Sequence, residues 1–248
     1  MNFGDAWAGM MGAMTKESVF ELLDYFHSQG GNFIDRANNY QNEQSESWIG
    51  DWLASRPGIR DQMVIATKYT TAFSTYKGHD GIIQSNTAGN GSKSLHTKKQ
   101  REDLKKSGEG GRNMGGPSEK HLKLTDKLGE IANKKKIAIT SVALAYVMHK
   151  APYVFPIVGG RKIEHLKGNV EALGLELSDE DMSDIDNAAP FNVGFPMNFL
   201  GGPKGAKGPG DVWLTNMAGH FDYVESGKPI RPFQGRYEER GNPFAPKE

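Results

Sequence analysis

Two short apolar runs in the first third of the chain lead into charged residues, and this feature most constrains the fold. Asn32 to Ala37 and Met63 to Thr67 have the composition of strands, with Asp35 near the end of the first and Lys68 directly after the second. Apolar residues at helical spacing precede the first run and separate it from the second. The order helix, strand, helix, strand with short connections predicts a parallel α/β fold.

Polar side chains gather at the carboxyl ends of strands in a parallel barrel. Asp35, Tyr40 and Lys68 supply a carboxylate, a phenol and an amine at these ends. A phenol has a reference pKa of about 10, and a nearby ammonium favours its ionised form while a carboxylate holds the ammonium in place. The three residues therefore predict a proton-donating site. The alternative is that Asp35 caps the next helix and that Tyr40 is an ordinary loop aromatic.

A second candidate site follows another apolar run. Val154 to Val158 predicts a strand, which Gly159 and Gly160 close before the next helix. Glycines in this position let backbone N–H groups approach a phosphate, and Arg161 adds a planar donor suited to the 2′-phosphate of NADP. The same pattern also fits a tight turn without a ligand, and spacing alone leaves both interpretations open.

The pattern of elements predicts a single α/β domain over residues 1–248 with two irregular parts. From 70 to 117 the alternation of strand and helix fails, and from 190 to 248 glycine and proline are frequent and periodicity is absent. Loops as long as the first of these are uncommon inside compact domains. The residues predicted to begin helices as N-caps are Thr15, Ser45, Ser118, Thr140 and Ser178.

Composition excludes several classes of protein. The formal net charge is +0, from 30 basic and 30 acidic residues, which argues against nucleic acid or an anionic membrane as the main partner. The absence of cysteine excludes thiolate catalysis and cysteine-bound zinc. The seven histidines lack metal-ligand spacing, and His149 and His165 are predicted to lie on helix surfaces. No signal peptide or apolar membrane span is recognisable, so we expect a cytoplasmic protein without a bound metal.

Five stretches together resemble the aldo-keto reductase superfamily, and within it the fungal aryl-alcohol dehydrogenases and the norsolorinic acid reductases of polyketide toxin pathways. They are MNFGDAWAGMMGAM, GGNFIDRANNYQNEQSESWIGDWLASR, RDQMVIATKYT, AYVMHKAPYVFPIVGGRKIEHLKGNVEAL and FNVGFP. The resemblance covers the N-terminal third and a block from about Ser118 to Pro196.

This resemblance implies an (α/β)8 barrel of the TIM type that reduces aryl or polyketide-derived aldehydes and ketones to alcohols. Family members use NADPH, transfer its pro-R hydride and need no metal. By motif, Tyr40 is the proton donor, Lys68 lowers its pKa, and Asp35 pairs with Lys68 near the nicotinamide. The residues implied along the adenosine-phosphate end of the cofactor are Gly159, Arg161, His165 and Asn169.

The chain departs from the family by an internal deletion. Leu95-His96 runs directly into Thr97 to Arg101, a sequence that resembles what the family places after its seventh strand. Strands four to seven, with the catalytic histidine, have no counterpart, so we expect about four of the eight strands. One alternative is therefore a truncated, catalytically inactive relative, and another is a homodimer in which two half barrels complete one sheet.

Overall fold

Chain contacts define two compact units. The computed structural model describes residues 1–68, 118–201, 208–222, 224 and 227–232. The first unit comprises Met1–Gly116 with Pro156–Leu173, and the second comprises Pro117–Phe155 with Gly174–Glu248. The predicted irregular junction at 70–117 lies outside the described residues, and the assignment of both units to one domain stays a prediction.

The described residues form mainly helices. In chain order, the elements are α1 (Ala8–Met11), α2 (Lys16–Ser28), β1 (Phe33–Asp35), α3 (Gln44–Ala54), β2 (Val64–Ala66), α4 (Glu119–Lys135), α5 (Ile139–Met148), α6 (Ile163–Glu171), α7 (Asp179–Ala188), α8 (Met197–Gly201) and α9 (Trp213–Ala218). Short 3₁₀ turns occur at Arg60–Gln62, Ala172–Gly174 and Pro209–Asp211. None of the helices in the described part has the length and apolarity of a membrane span.

Strands β1 and β2 form a parallel pair in the first unit, as the sequence predicted, although both are shorter than predicted. The register pairs Phe33 with Val64, Ile34 with Ile65 and Asp35 with Ala66. Ile34 is buried in the core, whereas Phe33 and Val64 on the opposite face are both 53% exposed. Because side chains alternate across a strand, the described helices cover one face of this pair and leave the other open.

Helix α2 supplies the centre of the core of the first unit. Thr15 caps it as predicted, since Thr15 Oγ1 accepts a hydrogen bond from Ser18 N at 3.2 Å. The helix ends before Gly30, whose φ of 82° suits a glycine. The buried hydrophobic residues packed together in this core are Met14, Val19, Leu22, Leu23, Ile34, Ile49, Trp52, Met63 and Leu166.

A polar bridge joins α2 to α3 at the edge of this core. Trp52 is fully buried, and its indole Nε1 donates to Asp24 Oδ1 at 2.9 Å. Asp24 also accepts from Arg56 Nε and Nη2. Burial favours the neutral carboxyl, but the hydrogen bonds from Arg56 and Trp52 outweigh it and lower the pKa of Asp24. The bridge therefore satisfies the one polar atom that Trp52 brings into the core.

Two predicted helix caps are wrong. Helix α3 begins at Gln44 with Glu43 as its N-cap in a left-handed conformation, so Ser45 lies inside the helix. Helix α5 begins at Ile139 after Ala138, so Thr140 also lies inside. In both cases the backbone of the preceding turn sets where the helix starts. The hydroxyl residue is then the second residue of the helix, which is not the N-cap position.

The second unit is built from α4, α5 and α7. Ser118 caps α4 and Ser178 caps α7, as predicted, and Asp181 N donates to Ser178 Oγ at 3.1 Å while Ser178 N donates back to Asp181 Oδ2 at 3.1 Å. Helix α4 packs against both α5 and α7. The buried apolar residues of this unit are Leu128, Ile131, Ala132, Val142, Ala145, Leu177 and Ile185.

The predicted strand Val154 to Val158 is wrong, because these residues are irregular. Tyr153, directly before the run, has a left-handed φ of 56°, which an extended strand does not have. Within the run, Pro156 has no N–H to donate to a neighbouring strand. Phe155 and Ile157 are 83% and 73% exposed. A strand needs a paired neighbour for its backbone groups, and the sheet in the described part contains only β1 and β2.

Short helices occur within the tail that was predicted to be irregular. Its described part contains α8 and α9. Phe199 of α8 meets Trp213 of α9 edge-on, with ring centroids 6.3 Å apart. Aromatic contacts therefore give local order to a segment whose glycine and proline content hides any periodicity.

His149 follows α5 and is buried, which corrects its predicted place on a helix surface. The residue is only 4% exposed, and its Nδ1 has no hydrogen-bond partner among the described residues. Burial disfavours the imidazolium and Arg231 repels it, so the pKa of His149 lies below its ordinary value despite the opposite effect of Glu176.

We expect the thermal unfolding midpoint to fall as the pH drops below about 6.5, the ordinary histidine pKa. Above that pH, His149 is neutral in both states. Below it, the unfolded chain binds a proton that the folded chain resists until the lowered pKa is reached, so stability is lost. Circular dichroism melts across this range measure the effect. His149→Leu should flatten the profile, whereas His220→Leu, a change at a highly exposed side chain, should not. Identical profiles for wild type and His149→Leu contradict this origin.

Candidate active site

The carboxyl ends of β1 and β2 lie side by side in the first unit. Asp35 pairs with Ala66 in the parallel register, and Arg36 N donates to Ala66 O at 3.0 Å. The ladder therefore continues past the last residue of β1. This alignment brings Asp35 next to the residues that follow β2, and Lys68 is the second of them.

Lys68 connects Asp35 to Tyr40. Its Nζ donates to Asp35 Oδ1 at 2.6 Å and to Arg36 O at 2.9 Å, and it lies 5.4 Å from the centre of the Tyr40 ring. Burial opposes the ammonium, but the hydrogen bond to Asp35 and the attraction of Tyr40 and Asp35 outweigh burial and raise the pKa of Lys68. The structure thus brings the three predicted residues together around an amine that is charged at neutral pH.

Trp7 also contacts Tyr40, and the sequence analysis did not select it. The two rings meet edge to face, with centroids 6.4 Å apart and planes at 72°. Trp7 Nε1 donates to Asn42 Oδ1 at 2.9 Å, and Trp7 N donates to Gln41 Oε1 at 2.7 Å. A lone tryptophan near the start of the chain carries no spacing signal, so only the fold reveals that it touches residues 40–42.

The turn after Tyr40 has an unusual backbone. Gln41, Asn42 and Glu43 have φ values of 55°, 54° and 76°, in the left-handed region that costs ordinary residues about 1–2 kcal/mol each. Strain of this kind persists only where surrounding contacts fix it. The N-terminal segment (residues 1–12) supplies such contacts. Besides the bonds from Trp7, Asp5 N donates to Gln44 Oε1 at 3.0 Å.

Glu46 joins the strand ends to α3. Arg36 Nη1 lies 3.3 Å from Glu46 Oε1, and Thr67 Oγ1 donates to the same oxygen at 2.7 Å. Because Thr67 directly precedes Lys68, Glu46 fixes the backbone that carries the amine. Sequence reasoning missed Glu46, since nothing in the helical pattern shows that this carboxylate faces the ends of the strands.

Two buried polar atoms close to Asp35 in the chain have no hydrogen-bond partner among the described residues. They are Arg36 Nε and Asn38 Oδ1. Buried polar atoms are paired in the great majority of cases. Such unpaired atoms fit a place that receives a polar ligand.

The turn at Gly159 to Arg161 lies against the N-terminal segment of the same unit. A Cβ on Gly160 would lie 2.7 Å from His165 Cβ, and a Cβ on Gly12 would lie 1.6 Å from Arg161 Nη1. The contact with His165 Cβ leaves no room for a side chain at residue 160, and the φ of 72° at Gly12 favours glycine there. Arg161 is exposed, and within the described residues it makes no hydrogen bond or ion pair. Its guanidinium is free to meet an anion.

Helix α6 carries the remaining predicted residues. His165 is exposed, as predicted, and Asn169 is half-buried. The N-cap residue Lys162 makes no side-chain capping bond, so the first N–H groups of α6 have no capping side chain. The helix packs against α2. The structure therefore places these residues in the same unit as Asp35, Tyr40 and Lys68.

Comparison with known proteins decides the family. The sequence model of the aldo/keto reductase family matches residues 1–97 and 81–190. The chain is 36% identical to an aryl-alcohol dehydrogenase of Pestalotiopsis microspora, over 95% of this chain and 89% of the relative. It is 33% identical to norsolorinic acid reductase B of Dothistroma septosporum, over 94% and 89%, and 32% identical to the norsolorinic acid reductase of Aspergillus flavus, over 95% and 89%. The chain belongs to the aldo/keto reductase family.

Membership confirms the resemblance seen in the sequence. An aldo/keto reductase has an α/β barrel fold, acts on small-molecule carbonyl compounds and typically uses a nicotinamide cofactor. Residues of this aldo/keto reductase fit such a cofactor. Arg161 offers a free guanidinium, the uncapped first turn of α6 offers N–H groups to a phosphate, and the exposed Gly159 lets backbone approach it. His165 and Asn169 add further polar groups on the same helix.

This aldo/keto reductase carries a second set of the same three residue types, in its second unit. Tyr146 Oη donates to Asp186 Oδ1 at 2.5 Å, and Lys150 Nζ donates to the two carboxylate oxygens at 2.6 and 2.7 Å. Burial and the bond to Asp186 raise the pKa of Tyr146, although Lys150 acts in the opposite direction. Here the carboxylate holds the phenol itself, so the cluster braces α5 against α7. It offers an internal comparison for Tyr40.

Proposed function

We propose that this chain reduces aryl or polyketide-derived aldehydes and ketones to alcohols with NADPH. The observation that carries the proposal is the Lys68 ammonium, bonded to Asp35 and in contact with Tyr40 beyond the ends of two parallel strands. Enzymes with an α/β barrel hold their active sites at this end of the strands. Relatives named aryl-alcohol dehydrogenase and norsolorinic acid reductase support the substrate class.

Tyr40 is the proton donor in this proposal. When bound, the cofactor supplies the hydride that adds to the carbonyl carbon. As negative charge grows on the carbonyl oxygen, Tyr40 Oη gives up its proton to that oxygen and completes the alcohol. The ammonium of Lys68 stabilises the phenolate that remains, and Asp35 keeps the amine in place. Solvent then returns a proton to Tyr40.

The test of the proposed function is turnover by the purified wild-type protein. NADPH should be oxidised when an aromatic aldehyde is present and not when the aldehyde is omitted. Nicotinamide absorbance follows the cofactor, and chromatography identifies the alcohol. Turnover no faster than a blank without protein contradicts the proposal.

Arg161→Ala is expected to raise the KM for NADPH about 10- to 100-fold and to leave the KM for NADH nearly unchanged. A hydrogen bond to a charged group contributes about 1.5–3 kcal/mol, and only NADPH has the 2′-phosphate. Steady-state kinetics with both cofactors measure the difference. Lys167→Ala is the control, because this cation also lies on α6 but contacts Tyr25. An equal rise in KM for both cofactors contradicts the assignment.

The length of the chain favours a second candidate, namely a relative of these reductases that is catalytically inactive. The match to the Pestalotiopsis enzyme extends over 345 positions, whereas the chain has 248 residues, so at least 97 positions hold no residue of this chain. The exposed Phe33 and Val64 fit a shortened barrel with one open sheet face. Cooperative unfolding at a temperature that rises with NADPH counts against this alternative. The homodimer in which two half barrels complete one sheet is a separate alternative, and sedimentation that detects only monomer at high concentration contradicts that assembly.

A further inference from the structure

We propose that Gln41 is a positioning residue for Tyr40. Its buried amide fixes the N-terminal segment against the turn that follows Tyr40, and this docking sets where the phenol lies. The expected effect of Gln41 on the reaction rate rests on the proposed function, but its expected effect on the position of the Tyr40 phenol does not. Gln41 therefore acts through its neighbours and touches neither substrate nor cofactor in this account.

The amide of Gln41 is fully buried, and both its oxygen and its nitrogen are hydrogen-bonded. The residue is 0% exposed. Its Oε1 accepts from Trp7 N at 2.7 Å, and its Nε2 donates to Met1 O at 2.9 Å. A buried polar group is costly to leave without its partners. Both bonds reach the backbone of the N-terminal segment, so the segment must stay docked for the amide to be satisfied.

The stem of Gln41 also packs directly on this segment. A Cβ on Gly4 would lie 2.5 Å from Gln41 Cβ and 2.7 Å from Gln41 Cγ. Gly4 has a φ of 141°, which also favours glycine. The backbone of the segment therefore packs against Gln41 at a position where a side chain would clash. This close contact opposes any movement of the turn toward the segment.

These contacts hold a turn that its own backbone disfavours. Gln41, Asn42 and Glu43 are all left-handed, and no glycine among them eases that conformation. Trp7 bonds both Gln41 and Asn42 and meets the ring of Tyr40. If the segment leaves, the turn loses its support and Tyr40 loses its aromatic neighbour together, so the distance from the phenol to Lys68 is no longer fixed.

The test starts from Gln41→Met, which keeps the length of the side chain and removes both hydrogen bonds. We expect kcat with NADPH and an aromatic aldehyde to fall about 10- to 100-fold, as for a reacting group displaced by an ångström, while the KM for NADPH stays nearly unchanged. A purely structural role would lower the melting temperature and leave the kcat of the folded protein alone. Gln62→Met is the matched control, because Gln62 Nε2 also donates to a backbone carbonyl, Gly58 O at 3.2 Å, but on an exposed residue.

A second readout does not need activity. Fluorine NMR of protein labelled with 3-fluorotyrosine reports the surroundings of each phenol, and Tyr40→Phe identifies the resonance of residue 40. We expect Gln41→Met to shift or broaden that resonance and Gln62→Met to leave it unchanged. If Gln41→Met does not fold, Gln41→Asn takes its place, since it keeps a neutral amide but is one methylene too short to keep both hydrogen bonds to Trp7 N and Met1 O.

The two proposals fail separately. An inactive wild type whose residue-40 resonance moves in Gln41→Met rejects the proposed function and supports the positioning role. An unchanged resonance in the folded variant overturns the positioning role, whether or not the wild type is active. In an active wild type, an unchanged kcat in Gln41→Met overturns it as well.

Discussion

Tyr40→Phe is expected to slow the reduction of an aromatic aldehyde by NADPH about 10²- to 10⁴-fold, the range over which a positioned proton donor acts. Phenylalanine keeps the ring against Lys68 and Trp7 and removes only the hydroxyl. The carbonyl oxygen then has no side-chain donor in this place. Because the hydroxyl acts in the transition state, the loss should appear in kcat, with the KM for NADPH nearly unchanged.

Tyr146→Phe is the control for this change. It removes a hydroxyl from the other cluster of tyrosine, lysine and aspartate, where the hydroxyl is bonded to Asp186. Activity should remain at the wild-type level, and the melting temperature should fall because the brace between α5 and α7 is weaker. Full activity in Tyr40→Phe, or an equal loss of activity in both variants, removes Tyr40 from the proposed mechanism.

Lys68→Met is expected to lower kcat about 100-fold or more, within the range of catalytic proton transfer. Methionine keeps the length of the side chain but removes the cation that stabilises the phenolate. The Asp35 carboxylate also loses its partner, and since both side chains are partly exposed, we expect a loss of only about 1 kcal/mol in the free energy of unfolding. Steady-state kinetics and denaturant melts separate the two effects.

Two further variants show whether the charge itself matters. Lys68→Arg keeps a cation for Asp35, so it should restore stability, and it should restore only part of the activity because a planar guanidinium cannot take the place of the compact ammonium. Lys150→Met breaks the bonds to Asp186 and should cost stability without changing kcat. If Lys68→Met and Lys150→Met have the same kcat, Lys68 has no role in the chemistry.

The sequence was sufficient to predict the meeting of Asp35 and Lys68. Asp35 lies near the end of one short apolar run and Lys68 directly follows another, and parallel pairing brings the ends of such runs together whatever the rest of the fold is. The helices around them were also predictable, since Val19, Leu22 and Leu23 repeat at helical spacing and Thr15 supplies a cap. Local pattern and short-range pairing therefore account for this part of the site.

The position of Tyr40 could not be predicted in the same way. It depends on three left-handed residues, Gln41 to Glu43, which ordinary propensities disfavour and which contacts from residues 1–7 hold in place. The failure at Val154 to Val158 has a related cause. That run has the composition of a strand, but in the described part no neighbouring strand pairs with it. Contacts distant in sequence decided both cases.

Residue types alone would also have misled. Tyr146, Lys150 and Asp186 repeat the composition of the candidate site, and in both clusters the carboxylate accepts hydrogen bonds from the amine. Asp186 also accepts a hydrogen bond from the phenol of Tyr146, whereas Tyr40 contacts Lys68 through its ring. The chemical difference lies in whether the carboxylate also takes the phenol, and this depends on strand register in one case and on helix packing in the other.

In the proposed function, this chain passes a hydride from NADPH to a carbonyl carbon while Tyr40 supplies the proton. The most direct test incubates the wild-type protein with an aromatic aldehyde and NADPH deuterated at the pro-R position, and analyses the product by mass spectrometry. We expect an alcohol that carries one deuterium on its carbinol carbon, formed far more slowly by Tyr40→Phe. No alcohol above a protein-free blank, or alcohol without the label, contradicts it.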